Sequence, residues 1–371
     1  MEYGFFEVFV GLTVLIIALY YYLTSNFDFW KTRKVAGPKP IPLFGNFKDI
    51  ILGRIHIALQ VAQFYNEFKN EPMVGIFAKS SPMLILRDMD LIKDVLIKDF
   101  HVFCDRGTFS SKKDPLNQNL VNLEHERWRP LRNKLSPVFS SGKLKEMFYL
   151  MVDCADHFER YVEKIAEKPT ITECRELTAK FTTQTIGVCV FGLDTNAIAD
   201  ENSEFRRFGR AVFESSFGNI LRRILRDFAP FLFELLGSLK FNSRMGFFVK
   251  SMTETMTYRR KNEVRRNDFM DLLLELQDQP EQMGNMDVND RFLIGQAVVF
   301  FATGFETSAL TISNVFYEVA LNQDIQEKLR QDIETQLEKN DRKLTYDCIK
   351  SMTYLDKVIK GPRTLIQYHN P

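Results

Sequence analysis

The chain has 371 residues, enough to bury a sizeable core as one large domain or two. Its 49 Lys and Arg against 48 Asp and Glu leave a formal net charge of +1, so no strong field recruits nucleic acid or an acidic partner. Thirty-four phenylalanines predict a broad aromatic interior compatible with an apolar substrate space. The five cysteines (Cys104, Cys154, Cys174, Cys189 and Cys348) are scattered, without a C-x-x-C pair, which disfavours a disulfide framework and a structural zinc site.

Val8 to Phe27 carries no charge and matches the length of a bilayer-spanning helix. Tyr20, Tyr21 and Tyr22 sit at its end, and Lys31, Arg33 and Lys34 follow, whereas only Glu2 and Glu7 precede it. That asymmetry places the body in the cytosol. The absence of a basic leader and of a small-x-small cleavage site favours an uncleaved anchor over a signal peptide. Residues 1–27 are therefore read as the anchor, and 28–46 as a basic, proline-rich hinge. Pro38, Pro40 and Pro42 stiffen this hinge, and Gly45 closes it.

Helical spacing follows over Ile55–Phe68, then two short strands, Met73–Ala78 and Pro82–Asp88, then a helix over Met89–Lys98. In ERWRPLRNKLSPVFSSGKLKEM (Glu126–Met147), Trp128 and Arg132 lie four apart and share one helix face. Pro130 predicts that this helix begins just before it, because an interior proline costs roughly 3 kcal/mol or more. Phe148 to Leu276 reads as helix almost throughout, with a core helix ending at Gly192. Arg206, Arg207 and Arg210, then Arg222, Arg223 and Arg226, then YRRKNEVRR (Tyr258–Arg266), read as solvated helix faces.

DRFLIGQAVVFFATGFETSALTISNVFYEVA (Asp290–Ala320) predicts a long core helix, with Glu306 its one charge between Arg291 and Glu318. Its hydroxyl and amide residues and this carboxylate argue against a lipid setting. Gly304 costs about 1 kcal/mol against alanine, which suits a close approach by another body or a tight helix crossing. Thr303, Thr307 and Thr311 place hydroxyls on one face beside the carboxylate. A lone desolvated carboxylate there would hold its proton more tightly, a condition for proton delivery. The alternative is that these threonines simply bond backward to helix carbonyls. A charged amphipathic helix follows Ala320, and Leu344–Lys360 puts Ile349, Met352, Leu355 and Ile359 along one side.

Several of these stretches resemble the cytochrome P450 superfamily. ATGFETS (Ala302–Ser308) is similar to its distal oxygen-activating helix, Ala/Gly-Gly-x-Asp/Glu-Thr, with Thr303 where Ala or Gly is usual. WRPLRNKLSPVFSSGKLK resembles the helix whose Trp and Arg hold a haem propionate. GPKPIPLFGN (Gly37–Asn46) resembles the hinge of microsomal members, and FCDRG (Phe103–Gly107), FTTQTIGVCVFGLD and NDFMDLLLEL also fit, the first in an insect type.

The resemblance implies a mainly α fold with a small β element, an incomplete P450 domain over 47–360 preceded by the N-terminal transmembrane helix. It implies a haem-thiolate monooxygenase that oxidises apolar small molecules with O2, using electrons from NADPH–cytochrome P450 reductase, at the endoplasmic reticulum membrane. Glu306 and Thr307 would be catalytic, moving protons, and Trp128, Arg132 and Gly304 would contact the haem. The resemblance stops at Lys360, before the family's Glu-x-x-Arg helix and its Cys-bearing haem-ligand loop. None of the five cysteines has the neighbourhood of that loop. GPRTLIQYHNP (361–371) reads as an unrelated tail, with Gly361-Pro362 ending the preceding helix and His369 in disordered chain. The second expectation is accordingly a catalytically inactive, membrane-anchored remnant.

Overall fold

The computed structural model describes residues 3–107, 115–167, 171–200, 202–213, 243–266, 268–283 and 286–369, and the chain divides into two compact units, Met1–Cys104 and Asp105–Asn370. Arg222, Arg223 and Arg226 lie outside the described residues.

The first unit opens with helix α1 (Tyr3–Thr24), whose apolar side chains are exposed along its length. Residues Phe6–Thr24 are long and apolar enough to cross a membrane. After helix α2 (Ile57–Glu67), strands β1 (Met73–Ala78) and β2 (Ser81–Leu86) pair antiparallel, Met73 opposite Leu86 and Ala78 opposite Ser81. The proline-rich segment is bonded to β1. Gly75 N–H donates to Ala36 O at 2.8 Å, Asn46 exchanges bonds with Phe77, and Trp30 Nε1 donates to Ile76 O at 2.9 Å. A Cβ at Gly37 would stand 1.9 Å from Gly75 O, and one at Gly75 would strike the Trp30 ring, so both glycines are required by contact. The predicted Met89–Lys98 helix is an α-turn to Lys93 that widens into a π-turn over Asp94–Lys98.

The second unit is helical. Its elements are α3 (His125–Leu135), α4 (Ser141–Ala166), α5 (Cys174–Ile186), α6 (Glu204–Phe213), α7 (Ser243–Asn262), α8 (Phe269–Asp278), α9 (Asp290–Leu321), α10 (Gln323–Lys339), α11 (Tyr346–Ser351) and α12 (Thr353–His369). A π-turn, Gly187–Phe191, extends α5 and stops at Gly192, which takes the left-handed conformation (φ 65°) that ends a helix cheaply only with glycine.

Helix α9 runs through the core, capped by Asn289, whose Oδ1 accepts from Phe292 N–H at 3.0 Å. Phe301 gathers the rings of Phe191, Phe205, Phe208, Phe248 and Phe305, with centroids 5.2–6.4 Å away. The aromatic interior that the composition implies is this cluster, and α9 is a core helix despite having the length and hydropathy of a membrane span.

Three expectations give way. Helix α3 begins at His125, not beside Pro130, so the proline lies inside the helix and removes the N–H that would bond Glu126 O. Leu131 and Leu135, 0% and 1% exposed, bury the face beyond it and offset that loss. Helix α12 continues through Gly361-Pro362 to His369 and does not end at the proline. The arginine runs are not uniformly solvated. Arg206 and Arg259 are 3% and 4% exposed, and each is neutralised by carboxylates brought from elsewhere.

Candidate functional site

The middle of α9 presents two different faces. Phe301, Ala302, Phe305 and Ala309 are buried, while Thr303, Thr307, Ser308 and Leu310 are exposed. Each threonine hydroxyl bonds backward along the helix: Thr303 Oγ1 to Val299 O at 2.7 Å, Thr307 Oγ1 to Thr303 O at 2.6 Å, and Thr311 Oγ1 to Thr307 O at 2.9 Å. Their donors are thus satisfied in the helix, and their lone pairs face outward.

Along its other side α9 is seamed to α5 by polar groups as well as packing. Thr178 Oγ1 donates to Ala309 O at 3.0 Å, and Thr182 Oγ1 donates to Phe305 O at 2.9 Å, both buried. Arg175, one turn earlier on α5, reaches Glu306: its Nε donates to Oε1 at 2.9 Å, and Nη2 bonds the same oxygen. The sequence predicts a lone carboxylate at Glu306, but the structure supplies this partner. The pair raises the Arg175 pKa above its ordinary value, the hydrogen bond to Glu306 acting first and its charge second. Sequence reasoning misses Arg175 because 131 residues separate it from Glu306.

Gly304 belongs to the same seam. A Cβ there would come within 2.5 Å of Ile186 Cδ1, so the body that approaches this backbone is the end of α5.

Trp128 and Arg132 stand on α3 as their spacing predicts. Trp128 packs against the main core beside the His125 ring, centroids 5.9 Å apart. Arg132 is exposed, and its guanidinium has no carboxylate partner among the described residues. The turn after α3 brings Phe139 onto Phe300, stacked at 5.7 Å. Phe300 lies one turn before Gly304, so α3 reaches α9 close to the threonine-bearing segment.

The thiols are placed differently. Burial is the main cause that pushes Cys154 up to about 11 and Cys189 up to about 12. Cys348 is 1% exposed. Thiols held protonated by apolar surroundings do not suit a thiolate ligand. No cluster of three His, Cys, Asp or Glu side chains able to hold a metal occurs among the described residues.

A long core helix carrying Gly-x-Glu-Thr, a helix bearing Trp and Arg four apart, and a small two-stranded sheet are the features of one family. The cytochrome P450 family model matches residues 35–360, and the chain belongs to that family. Among curated proteins it is 39% identical to cytochrome P450 6B7 of Helicoverpa armigera over 94% of this chain and 70% of that protein. It is 37% identical to cytochrome P450 6a8 of Drosophila melanogaster (97% and 72% covered) and 37% identical to cytochrome P450 6B1 of Papilio polyxenes (93% and 70%). The relatives are insect P450s, and the family role is that of a haem monooxygenase.

Proposed function

We propose that this chain forms the distal, proton-handling side of a haem-dependent monooxygenase acting on apolar small molecules. The observation that carries the reading is the exposed Thr303–Thr307 face of α9, with Glu306 next to it in sequence and the exposed Arg132 guanidinium on α3. Haem, when bound, supplies oxygen activation. The chain's residues supply the surroundings. Arg132 offers a planar fork suited to a propionate, and Trp128 shields that contact with its ring. Thr307 Oγ1, already donating to Thr303 O, can accept and pass a proton, and Glu306 is the adjacent acid once Arg175 releases it.

Helix α1 supports insertion in the endoplasmic reticulum membrane with the body in the cytosol, where NADPH–cytochrome P450 reductase would be the electron donor. A second reading is favoured by the thiols. Burial holds Cys154 and Cys189 protonated and disfavours either as a thiolate ligand, which supports the reading of an inactive, membrane-anchored remnant. Titration of the membrane-inserted chain with haem, followed by a reduced CO-difference spectrum, tests both readings. The family contacts predict haem binding that Arg132→Gln weakens several-fold. The second reading predicts that any such complex lacks the thiolate band. A thiolate band would overturn the second reading, and indifference to Arg132→Gln would overturn the first.

A further inference from the structure

Gln296 is 0% exposed, two turns before Gly304 on α9, and its neighbours Phe292, Leu293, Ile294 and Ala297 are buried and apolar. An amide in that setting is costly unless every hydrogen is used. Here it is. Nε2 donates to Gln118 O at 2.9 Å and to Phe292 O at 3.0 Å, and Oε1 accepts from Leu120 N–H at 2.9 Å. The carboxamide pairs with residues 118 and 120 as a neighbouring strand would, one acceptor and one donor two residues apart. Its orientation is determined, since the flipped amide would set oxygen against two carbonyls.

The segment gripped in this way leads directly to α3. Gln118 turns its own side chain the other way, and its Oε1 accepts from Arg127 Nη2 at 2.5 Å. Asn119 Oδ1 holds the next turn through Val121 N–H and Asn122 N–H. Arg127 immediately precedes Trp128. A continuous path of hydrogen bonds therefore joins α9 to the helix bearing Trp128 and Arg132: Gln296, Gln118, Arg127.

We propose that Gln296 is a positioning residue which, through Gln118 and Arg127, sets where α3 holds Trp128 and Arg132 relative to the Gly304–Thr307 segment of α9. The functional part of this inference rests on the reading of Trp128 and Arg132 as cofactor contacts.

Trp30 and Trp128 are the two tryptophans of the chain, so in a Trp30→Phe background fluorescence reports α3 alone. Gln296→Glu keeps the acceptor for Leu120 but sets an oxygen against Gln118 O and Phe292 O. Gln118→Ala and Arg127→Leu cut the path without touching the α9 core, and they carry the test if Gln296→Glu fails to fold. The expected result is a red-shifted Trp128 emission with at least about twofold stronger acrylamide quenching in all folded variants. Haem affinity should fall as far as in Arg132→Gln, without additivity in the double variants. Unchanged Trp128 quenching in the folded variants would overturn the proposal. A shifted Trp128 with haem affinity intact would support the positioning and overturn the cofactor reading of α3.

Discussion

Arg259 and Arg175 are both ion-paired, yet their surroundings make the two pairs unequal. Arg259 is 4% exposed and bonds Asp268 and Asp271 at 2.6 and 2.7 Å, with Phe191 O as a third acceptor. Burial alone would lower its pKa, but the two carboxylates outweigh burial and hold it above the ordinary value. Arg259→Gln leaves two buried carboxylates short of their cation, so a loss of about 3–5 kcal/mol in denaturant unfolding is expected. Arg175 keeps a 55% exposed side chain, and water and salt screen its pair, so Arg175→Gln should cost less than about 1 kcal/mol. Glu176 adds a pH dependence. Burial raises its pKa, but hydrogen bonds from Arg210 and Arg206 dominate and bring it below its ordinary 4.5. A carboxylate lowered in the folded state contributes stability that is present above pH 4.5 and is lost as pH falls through the folded value. Glu176→Gln should remove that acid-side component from a plot of stability against pH, and an unchanged acid limb would refute it. At this scale the sequence was half legible. Trp128 and Arg132 could be placed on one face from their spacing alone. Arg259 could not be recognised as buried, because Asp268 and Asp271 belong to the next helix and helical periodicity within α7 does not register them.

Helix α9 was readable as an element because its apolar run is long and its one charge stands out. The partner on its back was not readable. Thr178, Thr182 and Ile186 lie four apart on α5, a pattern indistinguishable from any buried helix face. Only the fold shows that they meet Ala309 O, Phe305 O and Gly304. This assigns Gly304 a steric reason that can be isolated. Gly304→Ala gains about 1 kcal/mol of helix propensity but overpacks Ile186 Cδ1, for a net loss on the order of 1 kcal/mol. Ile186→Val removes that methyl, so the double variant should recover most of the loss in a double-mutant cycle. Full additivity would show that Gly304 is needed for something other than this crossing. Pro130 misleads because a rule for an isolated helix sets a cost, and tertiary burial of Leu131 and Leu135 in the following turns exceeds it.

Across the whole chain, the N-terminal apolar helix was legible from hydropathy, and the helical body from its periodicities. The proposed membrane insertion predicts that removing residues 1–27 moves the protein from the microsomal to the soluble fraction after alkaline carbonate washing, and retention in the microsomal fraction would refute α1 as the sole anchor. The alternating prolines of residues 28–46 predict a stiff, extended connector. In the structure Ala36, Asn46 and Trp30 are bonded to β1, with Gly37 against Gly75 at a distance no side chain permits. The segment acts as a splint, its backbone held against β1. Lengthening this segment with glycine and serine would then do more than add slack before the small sheet, because β1 would lose the strand-like edge it is built against.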